Sequence, residues 1–416
     1  MSTNNDRAFD LLKQMAYERI SGTPEETRTA QLLFDVASKA GAQCSIEEFP
    51  TQDAIVTRAE LEVLAPYQKK YTVTGYQRSQ STGEDGIEAD FLYVENALPV
   101  NLENAKGKIV LLNGRPTHDI YKALMEAGIS GLITWNGEFD EDPDKSDLNV
   151  CMLRPMLTEK FGRTSAVNVR VLDAMEMVAK GATRVRLTVM SEDVTGTSRN
   201  VIAVIPGTEK PEEEIIIGGH YDSVRFSTGV YDNGAGSVAV MELLHHFAEN
   251  PPKRTVRFIW FGSEEIGLVG SKYYSDNHDL SNVRLMFNMD VGGPILGVNV
   301  GFVTGDKAAV GYVDGLLKEN GYAFRVEQHI QSSDSTPFTD HDVPTVNFFR
   351  GAAPGAGRMH TRADTLAFLS AEGLGKIIEP AALFADRVVN SKSFPIARVV
   401  PPEMHEAVDK YYFRKK

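Results

Sequence analysis

Acids and histidines that can bind a metal ion recur between residues 220 and 360, each at the end of an apolar, strand-like segment. Two histidines with several carboxylates and no thiolate suit zinc or a similar divalent ion. One such segment would mean little, because a buried His or Asp is usually only hydrogen-bonded. Five in succession indicate a metal-dependent hydrolase. The segments are Gly219-His220-Tyr221-Asp222, Tyr231-Asp232-Asn233-Gly234-Ala235-Gly236, Gly262-Ser263-Glu264-Glu265, Asn288-Met289-Asp290 and Met359-His360-Thr361.

Peptide-bond hydrolysis by a metal pair needs a bridging carboxylate and roughly two further ligands per ion. Asp232 lies in a glycine-flanked turn before a helix, where backbone can approach the ions, and it suits the bridge. His220 and Asp290 could complete one metal site. Glu265 and His360 could complete the other.

The reaction also needs a carboxylate that is not a ligand, because a proton must move from the water to the leaving amine. Glu264 precedes Glu265 on an extended or turning segment, so the two side chains diverge. One can bind metal while the other faces the water as general base. A second acid, Asp334, could shape the substrate pocket or cap its loop.

Alternating strands and helices must position these residues. From Ser198 onwards the pattern predicts an α/β fold with a doubly wound, mostly parallel sheet. Ligands bind beyond the carboxyl ends of the strands in such sheets, and the predicted metal ligands fall there. Residues 395–416 read as a tail. Strands are predicted at residues 200–207, 214–219, 255–261, 284–289 and 343–349.

Length and composition are consistent with a two-domain enzyme. A chain of 416 residues exceeds what one hydrophobic core usually supports. The change in the pattern of strand-like and helical segments along the chain predicts one domain over residues 1–51 and 193–416, interrupted by a mixed β/α domain over 52–192. A net charge of −14 argues against a nucleic-acid partner. Cys44 and Cys151 lack CxxC spacing, so no disulfide scaffold is expected.

The N-terminus lacks a basic segment followed by an apolar one, and no apolar stretch is long enough to cross a bilayer. We therefore expect a cytoplasmic protein without a membrane partner. The oligomeric state is left open by the sequence.

The five segments, in this order, resemble those of the M28 zinc aminopeptidases over about residues 198–369, with a weaker match at residues 20–24. The resemblance implies a zinc-exopeptidase fold, two zinc ions and release of N-terminal residues from peptides with a free N-terminus. It implies Glu264 and Asp222 as the catalytic pair, the first as general base and the second orienting a ligand histidine. The implied ligand sets are His220, Asp232 and Asp290 for one zinc, and Asp232, Glu265 and His360, with Asp364 behind it, for the other.

The interrupting domain resembles the protease-associated (PA) domain often inserted in this family. The matching strings are Gly107-Lys108-Ile109-Val110-Leu111 and Ala127-Gly128-Ile129-Ser130-Gly131-Leu132-Ile133.

One position departs from the family pattern. Many members carry a tyrosine before the last ligand histidine, whereas Met359 stands here and cannot donate a hydrogen bond. Either the metals alone stabilise the oxyanion, or a donor such as Tyr221 or Tyr231 substitutes. Other functions of the same fold are a carboxypeptidase, a dipeptidase, a single-zinc glutaminyl cyclase-like acyltransferase and a non-catalytic receptor. The intact ligand set favours the two-metal hydrolase.

Overall fold

The computed structural model describes residues 3–140, 142 and 148–414. The chain forms two compact units, Met1–Thr51 with Gly196–Lys416 and, between them in sequence, Gln52–Thr195. Two long strands, β1 (Gln43–Ala65) and β9 (Arg184–Ile205), carry the chain across the two boundaries.

The first unit begins with α1 (Asn5–Gln14) and α2 (Pro24–Lys39). The start of α2 follows from its sequence, since Thr23 accepts a hydrogen bond from the Glu26 N–H and proline occupies the first helical position. Glu26 accepts the Gly22 N–H at 2.7 Å, which completes the cap.

The described residues of the second unit form a mixed sheet with four short helices. Its strand order is β9-β4-β5-β6-β8-β3-β7, in which β4, β5, β6 and β8 are parallel neighbours. One buried apolar cluster, which includes Ile109, Ile133, Val167 and Leu187, forms its core. Its elements are β2 (Lys69–Tyr71), β3 (Val73–Gln77), β4 (Ile87–Tyr93), α3 (Pro99–Leu102), β5 (Ile109–Leu111), α4 (His118–Glu126), β6 (Gly131–Asn136), β7 (Cys151–Met152), α5 (Pro155–Phe161), β8 (Ala166–Arg170) and α6 (Val171–Ala179).

The rest of the first unit alternates strands with helices. Its sheet has the order β14-β13-β15-β12-β10-β11-β9, and the central strands β11, β10, β12 and β15 are parallel. The edges bring in the antiparallel pairs β9–β11 and β13–β15. The elements are β10 (Lys210–His220), α7 (Ala235–Glu249), β11 (Arg254–Phe261), α8 (Val269–Asn277), β12 (Val283–Met289), β13 (Gly297–Val303), α9 (Lys307–Glu319), β14 (Arg325–Gln328), α10 (Ser335–Asp340), β15 (Thr345–Ala352), α11 (Ala371–Asn390) and α12 (Pro402–Tyr411).

Both faces of this sheet are buried, as the continuous apolar strands predicted. Along β10, Ile215 and Ile217 enter the core that contains α1, α2, α7, α9 and α11. Ile216 points to the opposite face and packs in the cluster with Tyr274 and Phe338. The predicted α/β fold with a mostly parallel sheet is confirmed. The predicted tail is not all irregular, because α12 lies within it. Within the described residues, no helix is long and apolar enough to span a membrane.

Candidate metal centre

The candidate centre lies at the carboxyl ends of the parallel strands. β10 ends at His220, and its registers with β11 and β12 place Phe261 opposite His220 and Asn288 opposite Gly218. Glu264 and Asp290 follow those two partner strands, so three ligand-type side chains emerge at one edge. Asp232 comes from the turn before α7, and His360 from the loop after β15.

All five predicted ligands and the predicted base meet there. His220 Nε2 lies 3.4 Å from Asp232 Oδ1 and 3.6 Å from Asp290 Oδ1. His360 Nε2 lies 3.0 Å from Asp232 Oδ2 and 3.1 Å from Glu265 Oε2. The two carboxylate oxygens of Asp232 therefore face two different histidines.

The predicted base lies within the same group. Glu264 Oε2 is 3.9 Å from His220 Nε2. Ligand-type atoms of His220, Glu264 and Asp290 lie within 4.8 Å of one another, as do those of His220, Asp232 and Glu265. By distance alone Glu264 could also bind a metal, so its role as base depends on the chemistry of the whole set.

The electrostatics of the cluster fit a cation. Burial lowers the pKa of His220, but the carboxylates around it, Glu264 foremost, raise that pKa well above the usual value. Burial also lowers the pKa of His360, but the neighbouring carboxylates raise that pKa well above the usual value, and Glu265 contributes most to the increase. In the metal-free protein these raised pKa values favour protonated imidazoles, whose positive charge offsets the negative charge of the carboxylates. Buried Glu265 Oε1 and Asp290 Oδ1 also make no hydrogen bond, which suits oxygens that are metal ligands.

Burial raises the pKa of Glu264 well above that of an ordinary carboxylic acid, and it also raises the pKa of Glu265. Asp232 behaves differently. Burial acts to raise its pKa, but hydrogen bonds with His220 and His360 hold the pKa below the usual value. The residue between the two histidines is thus kept ionised, as a bridging ligand must be.

Asp222 contacts two parts of the centre. It is fully buried, and its two oxygens accept the Glu264 N–H at 3.0 Å and the Glu265 N–H at 3.2 Å. Its Oδ1 also lies 3.4 Å from His220 Nδ1. Asp222 therefore positions the two glutamates as well as the histidine, a wider role than the sequence suggested.

Asp364 performs a similar task for the Asp232 turn. Its carboxylate accepts the N–H groups of Tyr231 at 2.8 Å and of Asp232 at 3.2 Å. It is fully buried, and burial raises the pKa of Asp364 to about 7.

Two further positioning side chains were missed by the sequence analysis. Asn233 donates to the Met289 carbonyl and accepts the N–H groups of Gly236 and Val291, each at 2.9 Å, and so joins the Asp232 turn to the Asp290 turn. Ser333 donates to Asp290 Oδ2 at 2.6 Å. Asn233 stood in a recognised segment, but nothing in the sequence marked Ser333.

Three residues at or next to the predicted ligands have strained backbone. Ser263, Val291 and His360 have φ of 62°, 52° and 59°, in the left-handed region that non-glycine residues rarely adopt. The first two adjoin Glu264 and Asp290. Strain of this kind persists where surrounding contacts enforce it, typically at functional sites.

Three residues left open by the sequence can now be placed. The Tyr221 hydroxyl donates to the Arg199 carbonyl at 2.8 Å, and the Tyr231 hydroxyl accepts the Ala352 N–H at 2.8 Å. Both phenols are therefore held by backbone groups of other segments. Asp334 is buried at the start of α10 but makes no side-chain capping hydrogen bond.

Comparison with known proteins finds similar peptidases. Residues 200–385 match the sequence profile of Peptidase family M28. Aminopeptidase YwaD of Bacillus subtilis is 25% identical over 368 residues, which are 83% of this chain and 75% of that protein. Leupeptin-inactivating enzyme 1 of Streptomyces exfoliatus is 35% identical over 185 residues, but the match spans only 42% of this chain and 40% of that enzyme.

Solved structures share the fold over almost the whole chain. The zinc aminopeptidase BSAP of Bacillus subtilis superposes with a TM-score of 0.76 at 21% identity, covering 96% of this chain and 99% of that one. A peptidase M28 precursor from Shewanella amazonensis gives a TM-score of 0.79 at 22% identity, covering 95% of each chain.

Proposed function

We propose that this chain is a member of peptidase family M28, whose profile matches residues 200–385, and that it is a zinc-dependent aminopeptidase that releases N-terminal residues from peptides. The catalytic domain comprises residues 1–51 and 193–416, and residues 52–192 form an inserted PA-like domain. The parallel strands β4, β5, β6 and β8 of that second unit support the latter assignment.

We assign two zinc sites that share one carboxylate. His220, Asp232 and Asp290 would hold one ion, and Asp232, Glu265 and His360 the other. The observation that carries this assignment is the position of Asp232, whose Oδ1 lies 3.4 Å from His220 and whose Oδ2 lies 3.0 Å from His360. A carboxylate that faces two histidines with different oxygens is placed to bridge two cations.

Zinc, when bound, polarises the substrate carbonyl and lowers the pKa of water. The protein must move the proton, and we assign that task to Glu264. Its carboxylate takes a proton from the attacking water and later donates it to the leaving amine. Burial, which raises the pKa of Glu264, favours this transfer because the protonated form is stabilised until the leaving group needs it. Asp222 holds the backbone of Glu264 in place through the 3.0 Å hydrogen bond.

The charge of the centre favours a substrate with a free amine. Five carboxylates would outnumber the four positive charges of two zinc ions, so a negative potential remains beside them. That potential attracts a protonated α-amine and repels a substrate carboxylate. The five are Asp222, Asp232, Glu264, Glu265 and Asp290.

Two measurements test the proposal. Elemental analysis of the purified protein should approach two zinc equivalents, and chelation should abolish hydrolysis. One short peptide, offered with a free or an acetylated N-terminus, should be cleaved only in the free form. Equal cleavage of both forms would indicate an endopeptidase or carboxypeptidase. A single equivalent that does not increase on adding zinc would instead favour a cyclase-like acyltransferase.

A further inference from the structure

We infer that Arg19, which lies in the segment between α1 and α2, is a positioning residue that holds the loop between His220 and Asp232 in its metal-binding shape. The inference rests on the proposed zinc sites. Among the described residues, the Arg19 side chain hydrogen-bonds to backbone carbonyls and not to a proposed metal ligand. It acts through the backbone of the loop that joins two ligands.

The guanidinium of Arg19 is fully buried and bonded to backbone carbonyls on every nitrogen. Nε donates to Tyr221 at 2.6 Å, Nη1 to Thr228 at 2.5 Å and Nη2 to Gly229 at 2.8 Å. Nη1 also donates to the carbonyls of Met15 and Tyr17, at 2.6 and 2.9 Å. One side chain therefore hydrogen-bonds to both ends of the loop and to the chain at the end of α1.

The main chain of Arg19 reinforces the same contact. Its N–H donates to Ser223 Oγ at 2.9 Å, and its carbonyl accepts the Ser223 N–H at 3.1 Å. Asp222, which positions Glu264 and His220, thus lies between two residues that are both fixed to Arg19. Gly229 allows this close approach, since a Cβ there would lie 2.4 Å from Ser223 Cβ, 2.8 Å from the Asp232 carbonyl oxygen and 3.0 Å from Arg19 Nη2.

Charge gives Arg19 a second role that a neutral side chain could not fill. Burial lowers its pKa, but Asp364, Asp222 and Asp232 act in the opposite direction, and an arginine stays charged in proteins. The positive charge stabilises these carboxylates through space, while its hydrogen bonds go to carbonyls. The carboxylate oxygens therefore remain available to the histidines, to the backbone and to zinc.

Lysine cannot reproduce this arrangement. Its donors diverge from one nitrogen, whereas the guanidinium presents five N–H groups in a planar fork that reaches separate acceptors. Arg19→Lys keeps the charge but leaves some of the loop carbonyls without a hydrogen-bond donor. Loss of groups that orient metal ligands typically costs about 10–100-fold in metal affinity. We expect zinc affinity of Arg19→Lys to fall by at least ~10-fold on this basis.

Arg254 supplies a matched control. It is also fully buried, and its guanidinium donates to the carbonyls of Val389 at 3.0 Å and Ser391 at 2.7 Å, and to the Glu213 carboxylate at 2.6 Å. Arg254 begins β11, so the length of that strand, roughly 23 Å at 3.3 Å per residue, separates it from the end that leads to Glu264. Arg254→Lys should therefore lower stability without lowering zinc affinity.

The experiment measures zinc affinity of the full chain by competition with a chromogenic chelator, after metal removal, at a temperature where each variant is folded. Urea unfolding of the metal-free proteins gives their stability. The inference predicts that Arg19→Lys loses zinc affinity while Arg254→Lys, at similar loss of stability, keeps it. Wild-type affinity in Arg19→Lys, or an equal loss in both variants, would overturn it.

Ser223→Ala provides a milder test if Arg19→Lys does not fold, because it removes the acceptor of the Arg19 N–H and one donor to the Ser227 carbonyl of the same loop. Its zinc affinity should fall in the same direction, and an unchanged value would count against the inference. Failure of the wild-type protein to bind zinc at all would instead refute the proposed function.

Discussion

Replacing Asp222 by asparagine should lower both the stability and the zinc affinity of the protein, although the two side chains have nearly the same shape. Both oxygens of Asp222 accept backbone N–H groups, from Glu264 at 3.0 Å and from Glu265 at 3.2 Å. The amide of Asp222→Asn has only one acceptor oxygen. In either orientation its NH₂ group faces one of these two N–H groups.

The cost follows from the contacts. One buried N–H is left without an acceptor, which costs about 1–3 kcal/mol. The free energy of unfolding of the metal-free protein should thus fall by about 1–3 kcal/mol. Zinc affinity should also fall, by about 10–100-fold, because Asp222 no longer fixes His220 and the glutamates together.

Urea unfolding and chelator competition measure the two effects separately. Asp53→Asn is a suitable control, because Asp53 is buried in the other unit and accepts the Ala54 N–H at 2.6 Å. Its zinc affinity should equal that of the wild type. If Asp222→Asn lost stability but bound zinc as tightly as the wild type, the role assigned to Asp222 would be wrong.

Three further predictions concern the same centre. Glu264→Gln should lower kcat by about 10²–10⁴-fold with zinc content unchanged, whereas Glu265→Gln should lower zinc content; equal metal loss in both would contradict the assigned roles. Asn233→Ala strands two buried N–H groups, so its urea midpoint should correspond to a loss of about 2–6 kcal/mol, and a loss below about 1 kcal/mol would count against its role. Raised pKa values of His220 and His360 stabilise the metal-free fold below the unfolded pKa of about 6.5, and this contribution is lost as pH rises through the folded pKa values. The Tm measured in chelator should therefore fall as the pH rises from about 6.5 through the folded pKa values, and it should recover when zinc is added. A Tm that rises over this pH range would show that the two histidines do not titrate as described.

Much of the catalytic unit could be predicted because its signals are local. The strand predicted at residues 255–261 is found as β11, which spans Arg254–Phe261. The start of α2 is also encoded locally, because Thr23 followed by proline is typical of the beginning of a helix. Parallel strands place their carboxyl ends at one edge, so strand ends alone brought His220, Glu264 and Asp290 together.

The elements that were missed depend on distant contacts. α12 has few apolar residues, and its end is anchored by Arg414, which bonds to Asp340 at 2.6 Å, and by Tyr411, whose hydroxyl lies 2.8 Å from Ser332. Neither contact leaves a periodic pattern in the sequence. The edge strand β14 has only four residues, and the pairing of β13 between β14 and β15 is specified by the rest of the sheet.

Arg19 escaped the sequence analysis for a related reason. Its acceptors Tyr221, Thr228 and Gly229 lie about two hundred residues away and act through their carbonyls, which every residue possesses. Residue types therefore carry no trace of this contact. Metal ligands can be recognised from their side chains, whereas residues that hold backbone in place become visible only in the fold.

The most direct test of the account is anomalous diffraction at the zinc edge from crystals of the zinc-loaded protein. The account predicts two peaks about 3.5–4 Å apart, with each oxygen of Asp232 roughly 2.0–2.2 Å from a different peak. A single peak, or two peaks that Asp232 does not join, would contradict the central claim that this carboxylate bridges two zinc ions.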